Sequence, residues 1–186
     1  MKGPGRPLVA LDPSGTHAPL ENQAFEFFRG KTASYLAGYF TDGIYDKLLL
    51  RISHNEPSVR LALNALGSLH WEKDLRTRAV RDTKSPTTSS SSLELHTTLP
   101  VSQYSKALEG LRQCIEQKTA PLDVVLACSL LFIQFEVLRE SVEAALAHLD
   151  NVMRLLRSNH HEVGKKMDSV LVGALMRLDL NATSVP

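Results

Sequence analysis

The residues able to do chemistry are few and poorly placed to cooperate. Seven histidines and two cysteines supply the softer bases and metal ligands of this 186-residue sequence. Ser53-His54 followed by Glu56 has the letters of a catalytic triad. Neighbouring positions on one segment, however, cannot bring a nucleophile, a base and an orienting carboxylate to one point. His160 and His161 are adjacent, so on a helix they point about 100° apart and do not converge on an ion. His54 and His70 fall near the ends of helical segments and His148 inside one, positions that suit capping or hydrogen-bonded structural roles. Cys114 and Cys128 each lie in an apolar helical pattern. A disulfide framework or zinc site needs more thiols at closer spacing. Both are expected to be reduced core residues, which suggests an intracellular, reducing compartment. No Gly-rich phosphate loop, nucleophile elbow or paired metal-ligand motif occurs. The sequence therefore predicts no enzyme, no cofactor, and no catalytic, metal, cofactor-binding or DNA-binding residue.

Composition points the same way. Twenty-one basic residues against twenty acidic ones leave a net charge of +1, which argues against a surface built mainly to hold phosphate backbones. The length suits one domain with a real core.

The elements that must position any site are helical throughout, and no strand-like alternation competes at comparable length. Residues 1–21, rich in Pro and Gly, read as a flexible leader. Phe25, Phe28, Tyr35 and Tyr39 then follow a 3.6-residue period with one weak turn at Thr32, as core aromatics. Asp42-Gly43 breaks the chain before a helix with Tyr45, Leu48, Leu49 and Ile52 on its buried side. A third helix starts at Pro57, where the missing N–H is harmless and Glu56 meets the positive end of the helix dipole. Its stripes, Val59/Leu63/Leu66 and Leu61/Ala65/Leu69, face two neighbours. Residues 82–98, dominated by serine and threonine, bury too little to offset the entropy of ordering and are expected to form a disordered, mobile loop. Beyond it, Tyr104, Leu108, Leu111 and Ile115 mark one helix. Val142, Leu146, Leu149, Val152 or Met153 and Leu156 mark another, capped by Ser141. A last one carries Val163, Met167, Val170, Leu171, Ala174, Leu175 and Leu178.

Between them lies the most apolar stretch, VVLACSLLFIQFEVLRE from Val124. Its uninterrupted run ends at Ile133, too short for a bilayer, which needs about 20 predominantly apolar residues. Ten large apolar residues between Val124 and Leu138 cover every face, so the segment is expected at the centre of a bundle, joined by Arg139-Glu140-Ser141 to an antiparallel partner. The expected fold is all-α, a bundle of about six to seven helices with helical hairpins and no membrane span.

Several stretches together carry a resemblance. FEFFRGKTASYLAGYF, LLLRISHNEPSVRLALNALGSLH, QYSKALEGLR, LLFIQFEVLRESVEAALAHLDNVMRLL and RLDLNA occur in that order. With His54, Glu56, Pro57, Arg60, His70, Tyr104, Glu136 and His148 as polar anchors, residues 22–182 resemble the regulatory domain of fungal zinc-cluster transcription factors. The resemblance implies a nuclear, non-enzymatic regulator of RNA polymerase II genes acting through protein partners or a small effector, with dimerisation open. It places zinc only in a separate N-terminal DNA-binding module. Residues 1–21 hold no cysteine, so this chain alone is expected to lack specific DNA binding, and the domain is expected to be truncated at its C-terminal side. The alternative is a generic helical-repeat-like adaptor or scaffold; against it, no second copy appears at a period of about 34 residues.

Overall fold

A computed structural model describes residues 18–38, 43–81, 90–158 and 169–183. Among them every regular element is a helix. The first rod runs unbroken through α1 (Ala18–Phe27), a π-helical turn (Phe28–Thr32) and α2 (Ala33–Ala37). A second π turn (Ile44–Leu48) leads directly into α3 (Leu49–Ser53). Then come α4 (Pro57–Arg81), α5 (Ser90–Glu116), α6 (Leu122–Leu138), α7 (Val142–Ser158) and α8 (Ser169–Thr183). The described residues thus form an all-α bundle of seven rods, as the periodicity predicts.

The weak turn at Thr32 has a structural cause. The Ala33 N–H reaches back five residues to the Phe28 carbonyl, and the extra residue in that turn shifts the side-chain register of the rod. Phe25 and Phe28 stay in the core, whereas Tyr35 is half exposed. Tyr39 lies outside the described residues. Gly43 adopts φ 68°, a left-handed conformation that glycine reaches without steric cost. Its carbonyl accepts the N–H groups of both Lys47 and Leu48 at 3.2 Å and so nucleates the second π turn.

At the centre, α6 packs on α4, α5, α7 and α8. Leu126, Ala127, Cys128 and Leu130 are fully buried, and Leu131, Phe132, Ile133 and Phe135 nearly so. Coverage is not complete, however. Val125, in the first turn of α6, is only partly covered; Val137 is 54% exposed and Leu138 partly covered, because the last turn of α6 opens onto a cleft. Among the described residues, no helix is long and apolar enough to cross a membrane.

Both ends of this part of the bundle turn by the same device. The Ser141 N–H bonds to the Glu136 carbonyl at 2.9 Å and the Glu140 N–H to that of Val137 at 3.0 Å. Thr119 and Lys118 repeat the pattern on Cys114 and Ile115 after α5. These are paired C-terminal capping bonds around a left-handed residue, usually glycine. Here it is Glu140 (φ 65°) and Lys118 (φ 55°).

Further expectations change. Residues 18–21 of the expected leader are helical and open α1, while 1–17, like Val163 and Met167 of the expected last helix, lie outside the described residues. Residues 82–89 of the expected mobile loop lie outside the described residues, but 90–98 are helical and begin α5. Propensity is a weak prior against packing: Leu99, Pro100, Gln103 and Tyr104 are buried, α5 docks along α4, and a helix nucleated there propagates cheaply into the preceding turns. Ser141 occupies the position before α7 and its carbonyl accepts the Ala145 N–H. Its hydroxyl makes no hydrogen bond among the described residues, so the side-chain cap is not formed. Finally, Ile115, Val142 and Leu146 project into solvent although they continue buried stripes, because no described helix extends over those end turns.

Candidate functional site

The polar anchors collect at helix junctions. Tyr104 of α5, Glu136 of α6 and His148 of α7 meet in one cluster. The Tyr104 hydroxyl lies 2.8 Å from His148 Nε2. The Tyr104 ring stacks on Phe135 at 4.3 Å and meets Phe132 edge-on at 5.3 Å. Glu136, 3% exposed, acts electrostatically on the tyrosine and pairs with Arg139 at 3.2 Å. The tautomer of His148 decides whether the imidazole or the phenol donates in the Tyr104–His148 contact. Burial, reinforced by the Glu136 carboxylate, pushes the Tyr104 pKa up. The phenol therefore stays protonated, a link between three helices rather than a base.

A second junction ties the first rod to α4. His70 Nδ1 and the buried Thr32 hydroxyl are 3.0 Å apart. The His70 ring contacts Phe27 and Tyr35, with centroids 5.6 and 4.8 Å away. Lys31 pairs with Asp74 at 3.3 Å and lies 5.2 Å from the Phe27 ring centre. The shifted register of the first π turn is what brings Thr32 to His70. Arg60 rests over the Phe25 ring at 4.2 Å, an attraction worth ~0.5–2 kcal/mol depending on solvation.

The remaining candidates stay apart. Ser53 donates to the Leu50 carbonyl at 2.7 Å, while His54 is exposed, so the triad letters do not assemble. Cys114 and Cys128 are both free, and burial raises the Cys128 thiol far above its ordinary value, which suppresses the reactive thiolate. His160 and His161 lie outside the described residues. Among the described residues no group of three His, Cys, Asp or Glu side chains could hold a metal. They do not fit the zinc cluster that the resemblance assigns to a separate module.

Where α2, α4, α6 and α8 converge, a cleft of ≈ 560 Å³ opens. Leu36, Leu138 and Leu178 line it with Gln134, and Lys73, Glu140, Arg177 and Asn181 complete its polar rim. No periodicity argument announces this cleft. The one available signal is Gln134, a polar residue inside the most apolar run of the chain.

Burial lowers the pKa of His148, against Glu136, which raises it. It also lowers that of His70, with Asp74 opposing and Lys31 adding to the shift. Each histidine therefore binds its proton more readily unfolded than folded. Its contribution is complete above the ordinary value of 6.5 and is lost as the pH falls from there through the lower folded value. Thermal melting should accordingly decline below pH 6.5, and His148→Gln, which keeps a polar partner for Tyr104, should decline less steeply. Parallel slopes in the two proteins would contradict this placement of His148.

These observations define an all-α bundle whose polar anchors join helices and which carries an open cleft. The comparison with protein families then fixes its kinship: residues 41–180 match the fungal specific transcription factor domain, and the chain belongs to that family. Membership carries a regulatory role in transcription and, for the family in general, a nuclear setting. No curated protein and no solved structure matches the chain.

Proposed function

We propose that this chain is a regulatory domain that governs RNA polymerase II transcription in the nucleus through protein partners or a small effector, without reading DNA itself. The family match over residues 41–180 carries the proposal. The distribution of polar groups supports it. Tyr104, Glu136 and His148 engage one another, as do Thr32 and His70, so the side chains most suited to chemistry serve as joints between helices. A near-neutral surface favours selective contacts over general attraction to nucleic acid. On this reading the domain holds no cofactor and catalyses nothing.

The test tethers the full chain to an unrelated DNA-binding domain beside a reporter gene in a fungal host. A several-fold change in reporter transcription, in either direction, is expected. The purified chain alone should show only weak, salt-sensitive and sequence-indifferent DNA binding, about 10⁻⁴–10⁻⁶ M at physiological salt. An unchanged reporter, or nanomolar binding to one DNA sequence, would overturn the proposal.

A further inference from the structure

We infer that the cleft between α2, α4, α6 and α8 binds a small, uncharged, mostly apolar molecule bearing one group that both donates and accepts a hydrogen bond, a primary carboxamide being the simplest. This deepens the effector arm of the proposed function and rests on that reading. The cleft volume, ≈ 560 Å³, falls within the ~300–1,000 Å³ usual for small-molecule sites. Leu36, Leu138 and Leu178 offer an apolar bed, with the half-exposed Val137 at its opening.

Gln134 decides the chemistry. It lines the cleft and is only 7% exposed, yet its amide makes no hydrogen bond among the described residues. That amide opens onto solvent in the cleft, so a ligand that displaces the solvent must return both an acceptor and a donor or incur a cost of about 1–3 kcal/mol. A carboxamide does so with two parallel bonds, its carbonyl accepting from Nε2 while its N–H donates to Oε1. Charge selects against ions. Lys73 is already paired with Glu140 at 2.7 Å, and Arg177 donates through Nε to the Gly173 carbonyl of its own helix at 3.3 Å. A charged head group would have to compete with these engagements.

The probe is octanamide, titrated into the full chain and followed by calorimetry and protein NMR. Two ligands of the same body serve as comparisons: N,N-dimethyloctanamide, which lacks the N–H donor, and octanoate, which is charged. Saturable one-site binding of octanamide is expected, at least tenfold tighter than either comparison. Gln134→Leu should erase the preference over the dimethyl amide. Val137→Trp changes an exposed position, so the fold survives, and should block both amides by filling the opening. Absence of saturable octanamide binding, tighter binding of octanoate, or binding indifferent to Val137→Trp would each overturn the inference. Failure here is distinguishable from failure of the regulatory reading. Binding is measured on the purified chain with no promoter present, and the reporter is measured with no amide added.

Discussion

Leu131→Asp should leave a chain with no cooperative thermal transition. Leu131 sits in the middle of α6 with 1% of its surface exposed, and its helix packs on α4, α5, α7 and α8. Truncation of such a side chain alone removes about 2–5 kcal/mol. A carboxylate in its place adds several kcal/mol of uncompensated desolvation. The sum rivals the whole ~5–15 kcal/mol by which a domain exceeds its unfolded state. Val137→Asp, six residues on and half exposed, should shift stability by no more than about 0.5 kcal/mol, as ordinary surface changes do. Circular dichroism melts of the two variants check the pair. A Leu131→Asp protein that melts cooperatively within a few degrees of the parent would remove α6 from the centre of the bundle.

That contrast also marks how far the sequence alone reaches. Uniform apolarity over residues 124–138 places α6 centrally, because only surrounding helices can cover every face. The same uniformity hides which face is left open, since a helix apolar all round has no preferred side. Val137 and Leu130 read alike in sequence and differ completely in exposure. Tyr104, Glu136 and His148 are legible as anchors, each a polar residue in an apolar frame. Their convergence is not, because they lie on three helices whose crossing depends on tertiary packing. The π turn at Phe28–Thr32 shows itself only as a break in rhythm at Thr32, and its consequence, the Thr32–His70 contact, lies 38 residues away in sequence.

The cleft is the least legible feature, and Gln134 explains why. From sequence a lone glutamine in a greasy helix is most simply a satisfied core amide. Only the relative placement of α2, α4, α6 and α8 shows that it faces a cavity and has no hydrogen-bond partner among the described residues. Start signals fare better than propensities. Pro57 opens α4 as its chemistry predicts, while the serine-rich stretch from Ser90 is helical against its composition. Pro57 acts through its own backbone, whereas Ser90 and its neighbours extend a helix anchored by residues further along.

Gly67→Ala should lower stability even though it replaces the second-poorest helix former with the best one. On propensity alone the change would gain about 1 kcal/mol in a helix interior. Gly67 lies where α4 crosses α1, and a Cβ built there falls onto the backbone carbonyl of Ala24, with the Phe28 Cβ 3.0 Å away. Ala24 and Phe28 are both fully buried, and a carbonyl held in a helix cannot swing aside as the end of a side chain can. The first rod must therefore move off α4, and overpacking of that kind costs about 1–3 kcal/mol. Packing outweighs propensity, and the melting temperature should fall by several degrees, at about 2–4 °C per kcal/mol for a chain of this size. The displacement also draws Thr32 away from His70, so the NMR signals of that ring should shift with the loss of stability. Gly173→Ala in α8 supplies the opposite case. Its new Cβ would meet only the Arg177 guanidinium, 3.9 Å away, and the variant should melt slightly higher. If Gly67→Ala instead gained stability alongside Gly173→Ala, the close crossing of α1 and α4 would be wrong, and with it the junction that holds the first rod against the bundle.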